Sequence, residues 1–401
     1  MDQVARLRQA TGAARCLACG KCTSMCPLAA RGGFSARLIA GQELEAEIQG
    51  RGVGVGRCLT CAQCEVRCPQ GVRFTEFVRG LREVIPPAAR RPSPHAGVFQ
   101  SAARAMAGDA MPARGTTWIG DGLEVAQEGE VALFVGCLPF FDVAFRQELG
   151  VDTLAIARAA IRILNLAGIR PVVIGEERCC GHDLLWSGDR EIFVRLAEAN
   201  AEAFARRGVK RILTACAECC RTWRLDYPEA VPSYHPRVEH LAEFVAAGVS
   251  EGTLRLRPDG EERLTYQDPC RLGRHLGVYD APRQVLAAMP GARVVEMGRT
   301  GRDALCCGTS GFIHCDAMSR RLQAARLEEA VATGARTLVT ACPKCLIHFS
   351  CSRADDRRRG RREPCILVED FTVLVARRLE ANKSTQHDEP ALAGRAAGES
   401  R

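Results

Sequence analysis

The chain has 401 residues, 22 cysteines and a formal net charge of +8, so it is long enough for two or three domains with cores of their own. The start, Met1-Asp2-Gln3-Val4-Ala5-Arg6, lacks an export-type apolar stretch and no run reaches the length of a membrane span, which predicts a cytoplasmic protein, peripheral to the inner membrane face only through a partner. In that reduced compartment so many cysteines point to metal rather than to disulfides, and the dispersed arginines argue against nucleic acid as a partner.

Residues 1–85 are dense in cysteine and glycine, with short helical stretches. Ile85-Pro86-Pro87 and the later Pro92 and Pro94 mark a linker over 86–128. A first α/β domain is expected over 129–249. Val131–Val135 reads as a buried strand leading to Cys137, 152–167 as a helix, Pro171–Ile174 as a strand leading to Cys179-Cys180, 189–207 as a helix, and Lys210–Thr214 as a strand leading to Cys216. The same order returns over 250–380, an internal repeat. Leu264–Tyr266 leads to Cys270, a helix near 281–289 follows, Arg293–Val295 leads to Cys306-Cys307, 316–332 gives a helix, and Thr337–Thr340 leads to Cys342. Val238-Glu239 with Leu241 and Phe244 corresponds to Val368-Glu369 with Phe371 and Leu374. Residues 381–401 read as a disordered tail, and Arg357-Arg358-Arg359-Gly360-Arg361-Arg362 as a solvated loop.

The cysteines are ordered within this frame. Two runs read C-x2-C-x2-C-x3-C-P: Cys16, Cys19, Cys22, Cys26-Pro27 and Cys58, Cys61, Cys64, Cys68-Pro69. In two-cluster ferredoxins the fourth cysteine of such a run ligates the other cluster. That assigns Cys16, Cys19, Cys22 and Cys68 to one cubane [4Fe–4S] cluster and Cys58, Cys61, Cys64 and Cys26 to a second. Zinc also takes four thiolates, but its sites pair two C-x2-C units.

Two later sets each combine a lone Cys, a Cys-Cys-Gly and a C-x2-C: Cys137, Cys179, Cys180, Cys216, Cys219, then Cys270, Cys306, Cys307, Cys342, Cys345. Adjacent cysteines do not easily take two corners of one tetrahedral site. They can form a vicinal disulfide, ligate two irons, or bridge, so the residues imply a sulfur-ligated metal or redox site of open nuclearity. Gly181 and Gly308 relieve crowding after each pair. Cys220, Cys315, Cys351 and Cys365 fit no pattern.

The two C-terminal halves resemble the cysteine-rich CCG domains of the heterodisulfide reductase family, and the N-terminal part resembles the small electron-transfer subunit of the same enzymes. Asp268-Pro269-Cys270-Arg271-Leu272-Gly273-Arg274-His275 is similar to that family's second lone-Cys segment. The 41-residue gap from Cys137 to Cys179 is longer than the family usually shows. The resemblance implies a mainly α two-[4Fe–4S] ferredoxin domain followed by two repeated α/β, Rossmann-like half domains, each CCG domain holding a non-cubane [4Fe–4S] cluster on its five cysteines. It implies an oxidoreductase subunit that passes electrons from the cubanes to the CCG clusters. There a disulfide or related sulfur substrate is reduced, or a thiol oxidised, with a flavoprotein or a membrane cytochrome b subunit as partner.

Similar fusions serve instead as relay and anchor subunits of flavoprotein dehydrogenases for glycerol 3-phosphate, glycolate or lactate that feed quinone. His275 and Arg274 are the candidate catalytic residues, the imidazole as proton donor to a departing thiolate and the guanidinium as an anion-binding group. His182, His314 and Arg271 are weaker candidates for the same roles, and Lys21 and Lys344 for raising cluster potentials by their charge.

Overall fold

The computed structural model describes residues 2–29, 34–41, 44–49, 54–86, 93–108, 114–309, 312, 315–361 and 365–380; the tail expected over 381–401 lies outside them. Up to residue 130 the regular elements among these residues are all helical, beginning with Asp2–Thr11 and closing the cysteine-rich part with Phe74–Val84. That last helix buries Phe74, Phe77, Val78 and Leu81 and packs back on the first. Phe74, Phe77, Val78 and Leu81 recur at helical spacing, which is why one face of it is apolar.

Each repeat is a parallel sheet with helices against it. In the first, β1 (Val131–Leu133), β2 (Arg211–Thr214) and β3 (Arg237–His240) lie in the order β1-β2-β3. Two residues, β4 (Arg255–Leu256), follow before the second sheet. This comprises β5 (Glu262–Gln267), β6 (Ala292–Val294), β7 (Thr337–Thr340) and β8 (Leu367–Asp370), in the order β6-β5-β7-β8. The final strand, β9 (Leu379–Glu380), pairs antiparallel with β4. The segment expected as a strand at Pro171–Ile174 is reduced to bridges from Val172 to Ala132 and Ala126. Val172 nonetheless holds the place beside β1 that β6 holds beside β5. The two sheets therefore share one order, and parallel neighbours joined through helices are what βαβ connections produce.

The expected helices appear as Thr153–Leu166, Arg190–Ala205, Asp280–Ala288 and Ala317–Ala332. Asp152 caps the first of these by accepting from Ala155 N at 2.7 Å. Asp316 caps the last from Met318 N and Ser319 N at 3.0 and 2.9 Å.

The repeats are joined by two equivalent helix pairs. Thr153–Leu166 packs on Phe371–Arg378, and Leu241–Ser250 packs on Asp280–Ala288. In this first pair Ile156, Ala160, Ile161, Ile163 and Leu164 of one helix and Phe371, Leu374 and Val375 of the other are all fully buried. Each large apolar side chain buried this way contributes about 1.5–3 kcal/mol, so this seam is part of the core. The segment between ferredoxin part and first repeat is not bare chain, because helix Val98–Met106 buries Phe99, Ala103 and Met106. Phe99 stacks on Phe312 of the second repeat, with ring centroids 4.2 Å apart.

Candidate functional site

In both repeats the cysteines follow strand ends at one edge of the sheet, where open α/β folds bind ligands. Gly181 shows why Cys-Cys-Gly is needed there. Its φ is +78° and a Cβ would lie 2.7 Å from the Phe193 ring. Gly308 (φ +90°) would place a Cβ 2.7 Å from Ser319 O. In each case the pair is pressed against the following long helix and turned by a backbone only glycine adopts freely.

All five cysteines of the first set, Cys137, Cys179, Cys180, Cys216 and Cys219, line a single cavity. Cys180 and Cys219 Sγ are 3.5 Å apart. Cys137 interacts with Cys179, and Cys216 with Cys219. In the second set Cys270 interacts with Cys306, Cys307 with Cys345, and Cys345 with Cys342. The sets also meet each other, because the Cys216 and Cys342 thiols interact. At the opposite end Cys306 interacts with Cys61 of the ferredoxin part. Neither junction has a signature in the residue pattern, since both depend on how the three parts dock.

Cys26, Cys58, Cys61 and Cys64 line one cavity together, the grouping expected from the exchanged fourth cysteine. Burial pushes the Cys26 thiol up to about 12 and Cys58 to about 11, while the contact with Cys306 brings Cys61 down to about 6. Cys16 and Cys19, on a loop, and Cys22, in the helix Lys21–Met25 that follows, are more open, with Cys19 exposed. Cys68 accepts from Val72 N at 3.4 Å, on a loop anchored by Arg73 N donating to Thr11 O at 2.9 Å.

A buried charge network surrounds the junction of the two sets. Lys344 Nζ contacts the carboxylates of Asp183 and Glu218, and its ammonium faces the Phe312 ring at 4.9 Å. Burial opposes the charge on Lys344, but the two carboxylates outweigh it and hold its pKa well above the ordinary value. Asp183, Glu218 and His182 present three metal-capable atoms within 4.8 Å of one another, and the ammonium supplies the cation. His182 Nε2 accepts from Arg271 Nε at 3.0 Å. That leaves the proton on Nδ1, which faces Asp183 Oδ1 at 3.0 Å. Burial, reinforced by Arg271 and Lys344 against Glu218, holds the His182 imidazole well below its ordinary range.

Arg271 extends this network to the ferredoxin loop. Its Nη2 donates to Thr60 Oγ1 at 2.8 Å, and its guanidinium lies 4.0 Å from the Trp186 ring. His275 Nε2 lies 2.7 Å from Arg271 Nη1 and 2.9 Å from Thr60 O, and Arg274 bridges Cys61 O and Ala304 O. Neither His275 nor Arg274 lines the pocket of the first cysteine set. Both border a separate cavity of about 530 Å³ at the seam between ferredoxin part and first repeat. His314 lies outside the described residues. Arg82, which no motif marks, donates to Val55 O, to Cys58 O at 2.6 Å and to Trp186 O at 2.8 Å. Lys344 and Glu218 occupy the same place in their two C-x2-C segments, and that correspondence is the one signal by which sequence alone could have paired them.

Residues 12–72 match the family described as 4Fe-4S dicluster domain, and residues 131–223 and 264–350 match the cysteine-rich domain family CCG. Fold and site thus define an iron–sulfur protein with a dicluster ferredoxin domain ahead of two cysteine-rich domains. Among its relatives is a dihydromethanophenazine:CoB–CoM heterodisulfide reductase subunit of Methanosarcina mazei, 34% identical over 269 residues, covering 65% of this chain and 62% of that protein. The corresponding reductase subunit of Methanosarcina barkeri is 32% identical over 274 residues, covering 67% and 63%. An EtfAB:quinone oxidoreductase of Syntrophomonas wolfei is 30% identical over 267 residues, covering 64% and 35%. The chain joins both families in this order and is similar to these heterodisulfide reductase subunits, spanning 62–63% of the length of the two Methanosarcina relatives. Among the described residues no helix is long and apolar enough to cross a membrane.

Proposed function

We propose that the protein is the iron–sulfur electron-transfer subunit of a heterodisulfide-reductase-type oxidoreductase, carrying electrons between the ferredoxin part and the duplicated cysteine sites, where a disulfide or related sulfur substrate is reduced or a thiol oxidised. The supporting observation is the succession of interacting thiols that runs from Cys61 through the second set to the first, with Cys61 near Cys306 and Cys342 near Cys216. On this reading Cys16, Cys19, Cys22 and Cys68 hold one cubane, and Cys58, Cys61, Cys64 and Cys26 the other. The two five-cysteine sets hold non-cubane clusters on half-Rossmann domains bounded at 129–249 and 250–380. The donor sets fit, since each is all thiol and two of them converge on shared cavities. Bound iron–sulfur clusters supply one-electron redox centres.

The chain's own residues do the rest. Arg271, Arg274 and Arg82 fasten the ferredoxin loops to the two repeats, and Lys344 with Asp183 and Glu218 fixes the wall where the two sets meet. His275 and Arg274 hold the seam beside Thr60 and Cys61, so we assign them to positioning. A flavoprotein or a membrane cytochrome b subunit is the expected partner. Reduced benzyl viologen, incubated anaerobically with the holoprotein, tests the reading. Oxidation of the dye on adding a mixed disulfide supports it. Dye oxidation with a quinone analogue and none with disulfides establishes the relay role suggested by the quinone oxidoreductase relative.

A further inference from the structure

The two ferredoxin runs contain the same local loop in opposite surroundings. Cys16-Leu17-Ala18-Cys19 and Cys58-Leu59-Thr60-Cys61 share a leucine after the first cysteine and a left-handed residue before the next, Ala18 at φ +51° and Thr60 at +47°. In the inner loop Leu59 is 3% exposed, whereas in the outer loop Leu17 is 65% exposed. The inner loop is capped by the second repeat, through Arg271 to Thr60 and Arg274 to Cys61 O. The outer loop has no such cap among the described residues. Ala18 O accepts at 3.3 Å from Arg37 Nη1 of its own domain, and Cys19 is exposed beside Leu17.

The surface around this open loop is basic. Asp2 is the one acid in the first 41 residues, against Arg6, Arg8, Arg15, Lys21, Arg31 and Arg37. Arg15, Lys21 and Arg37 are exposed, and among the described residues none of the three forms an ion pair. An exposed apolar side chain between two cluster-type cysteines, with exposed Arg15 and Lys21 a few residues to either side and Arg37 bonded to the same loop, is a small contact patch beside a redox site.

We infer that the face formed by Leu17, Cys19, Arg15, Lys21 and Arg37 is the docking surface for an acidic redox protein, which covers the outer loop as the second repeat covers the inner one. The inference rests on the ferredoxin part being the electron-conducting end of the chain. A redox protein fits better than a lipid surface because Leu17 is the one large apolar side chain exposed on this loop, too little to insert into a bilayer. The electrostatic component falls with salt, since charges more than about 10 Å apart are screened at 0.1 M.

The test is stopped-flow reduction of the anaerobic holoprotein by reduced flavodoxin, an acidic one-flavin carrier, and separately by the methyl viologen radical cation. Parent protein is compared with the triple variant Arg15→Glu/Lys21→Glu/Arg37→Glu and with Leu17→Ala. Iron content and electron paramagnetic resonance of each variant report whether the clusters remain. The flavodoxin rate is expected to fall at least about tenfold in the triple variant, and to fall with added salt in the parent, as electrostatic steering requires. Leu17→Ala should weaken flavodoxin binding with the salt dependence kept, and in the triple variant the flavodoxin rate should fall much further than the viologen rate, which reads any change in cluster potential. Flavodoxin rates that ignore both salt and the triple change would overturn the inference. So would parent protein that binds phosphatidylglycerol vesicles through this face while flavodoxin does not bind. Disulfide reduction by viologen bypasses the face, so a failure of the functional reading shows there and not in these rates.

Discussion

The two cysteine-rich repeats share one sheet order and one placement of thiols, yet they differ where they touch. The C-x2-C of the first carries Glu218 and that of the second Lys344, and these two equivalent residues pair with each other across the junction. Cys216 and Cys342, the first cysteines of the same segments, meet beside them. After Cys-Cys-Gly the first repeat has His182 and Asp183, where the second has Thr309 and Ser310. The helix that follows Cys342 runs unbroken over Pro343–Arg358, whereas its counterpart is divided into Ala217–Arg221, a π-helical turn over Thr222–Asp226 and Tyr227–Ala230. Pro228 accounts for part of that division, because it lacks the N–H a continuing helix needs. Duplication thus supplied two equal scaffolds, and divergence at a handful of positions made their contact complementary in charge.

The most damaging way to break this complementarity is Lys344→Met. It leaves Asp183 and Glu218 buried without their cation, at a cost of about 3–5 kcal/mol. A fall of that size in the unfolding free energy read from urea titration is expected, and the exchanged pair Glu218→Lys/Lys344→Glu should recover less than half of it, because Asp183 stays on the first repeat. The repeats also differ in how they hold the ferredoxin part. The first receives Arg82 from it, and the second sends Arg271 and Arg274 to it. Arg82→Met strands the carbonyls of Val55, Cys58 and Trp186 and should cost about 2–3 kcal/mol. Limited proteolysis should show cleavage near the junction first, and a cleavage pattern unchanged from the parent would speak against Arg82 as a fastener.

A subtler contrast lies at equivalent helix caps. His240 caps Leu241–Ser250 and Asp370 caps Phe371–Arg378. Burial brings His240 from 6.5 down to about 4 and raises Asp370 from 3.8 to about 7. Between those values at His240 the native state binds fewer protons than the unfolded chain, so its contribution grows as pH rises. At Asp370 the native state binds more, so its contribution is present at low pH and lost as pH rises towards 7. Urea midpoints at pH 5 and 7.5 read the two separately. Asp370→Asn should shift the midpoint difference in favour of the higher pH, and His240→Asn in favour of the lower. Equal differences in both variants and the parent would contradict the assignment. The smallest effect is expected at Cys220, buried next to Cys219 where the second repeat has Leu346. Cys220→Ala should cost about 1 kcal/mol and leave the iron content unchanged.

Much of this was legible in the sequence. Cysteine spacing grouped Cys26 with Cys58, Cys61 and Cys64, and the apolar period located helices such as Thr153–Leu166 and Ala317–Ala332 to within one or two residues. Pro171–Ile174 was apolar enough to read as a strand, but only Val172 pairs, because a neighbour and not composition decides whether a run forms a ladder. The junctions could not be read. Arg82 resembles any helical arginine until its partners from Val55, Cys58 and Trp186 are brought together. His275 and Arg274 are suited to proton donation and anion binding by residue type, whereas their bonds to Thr60, Cys61 and Ala304 become visible only once the parts are docked.

The central claim is that each repeat's five thiols form an iron–sulfur site in addition to the ferredoxin pair. Iron and acid-labile sulfide counted in anaerobically purified protein test it most directly. About sixteen irons per chain are predicted, as four four-iron sites require, with a loss of about four when Cys307 is changed to Ala. A count of about eight, unaltered by Cys307→Ala, would contradict it.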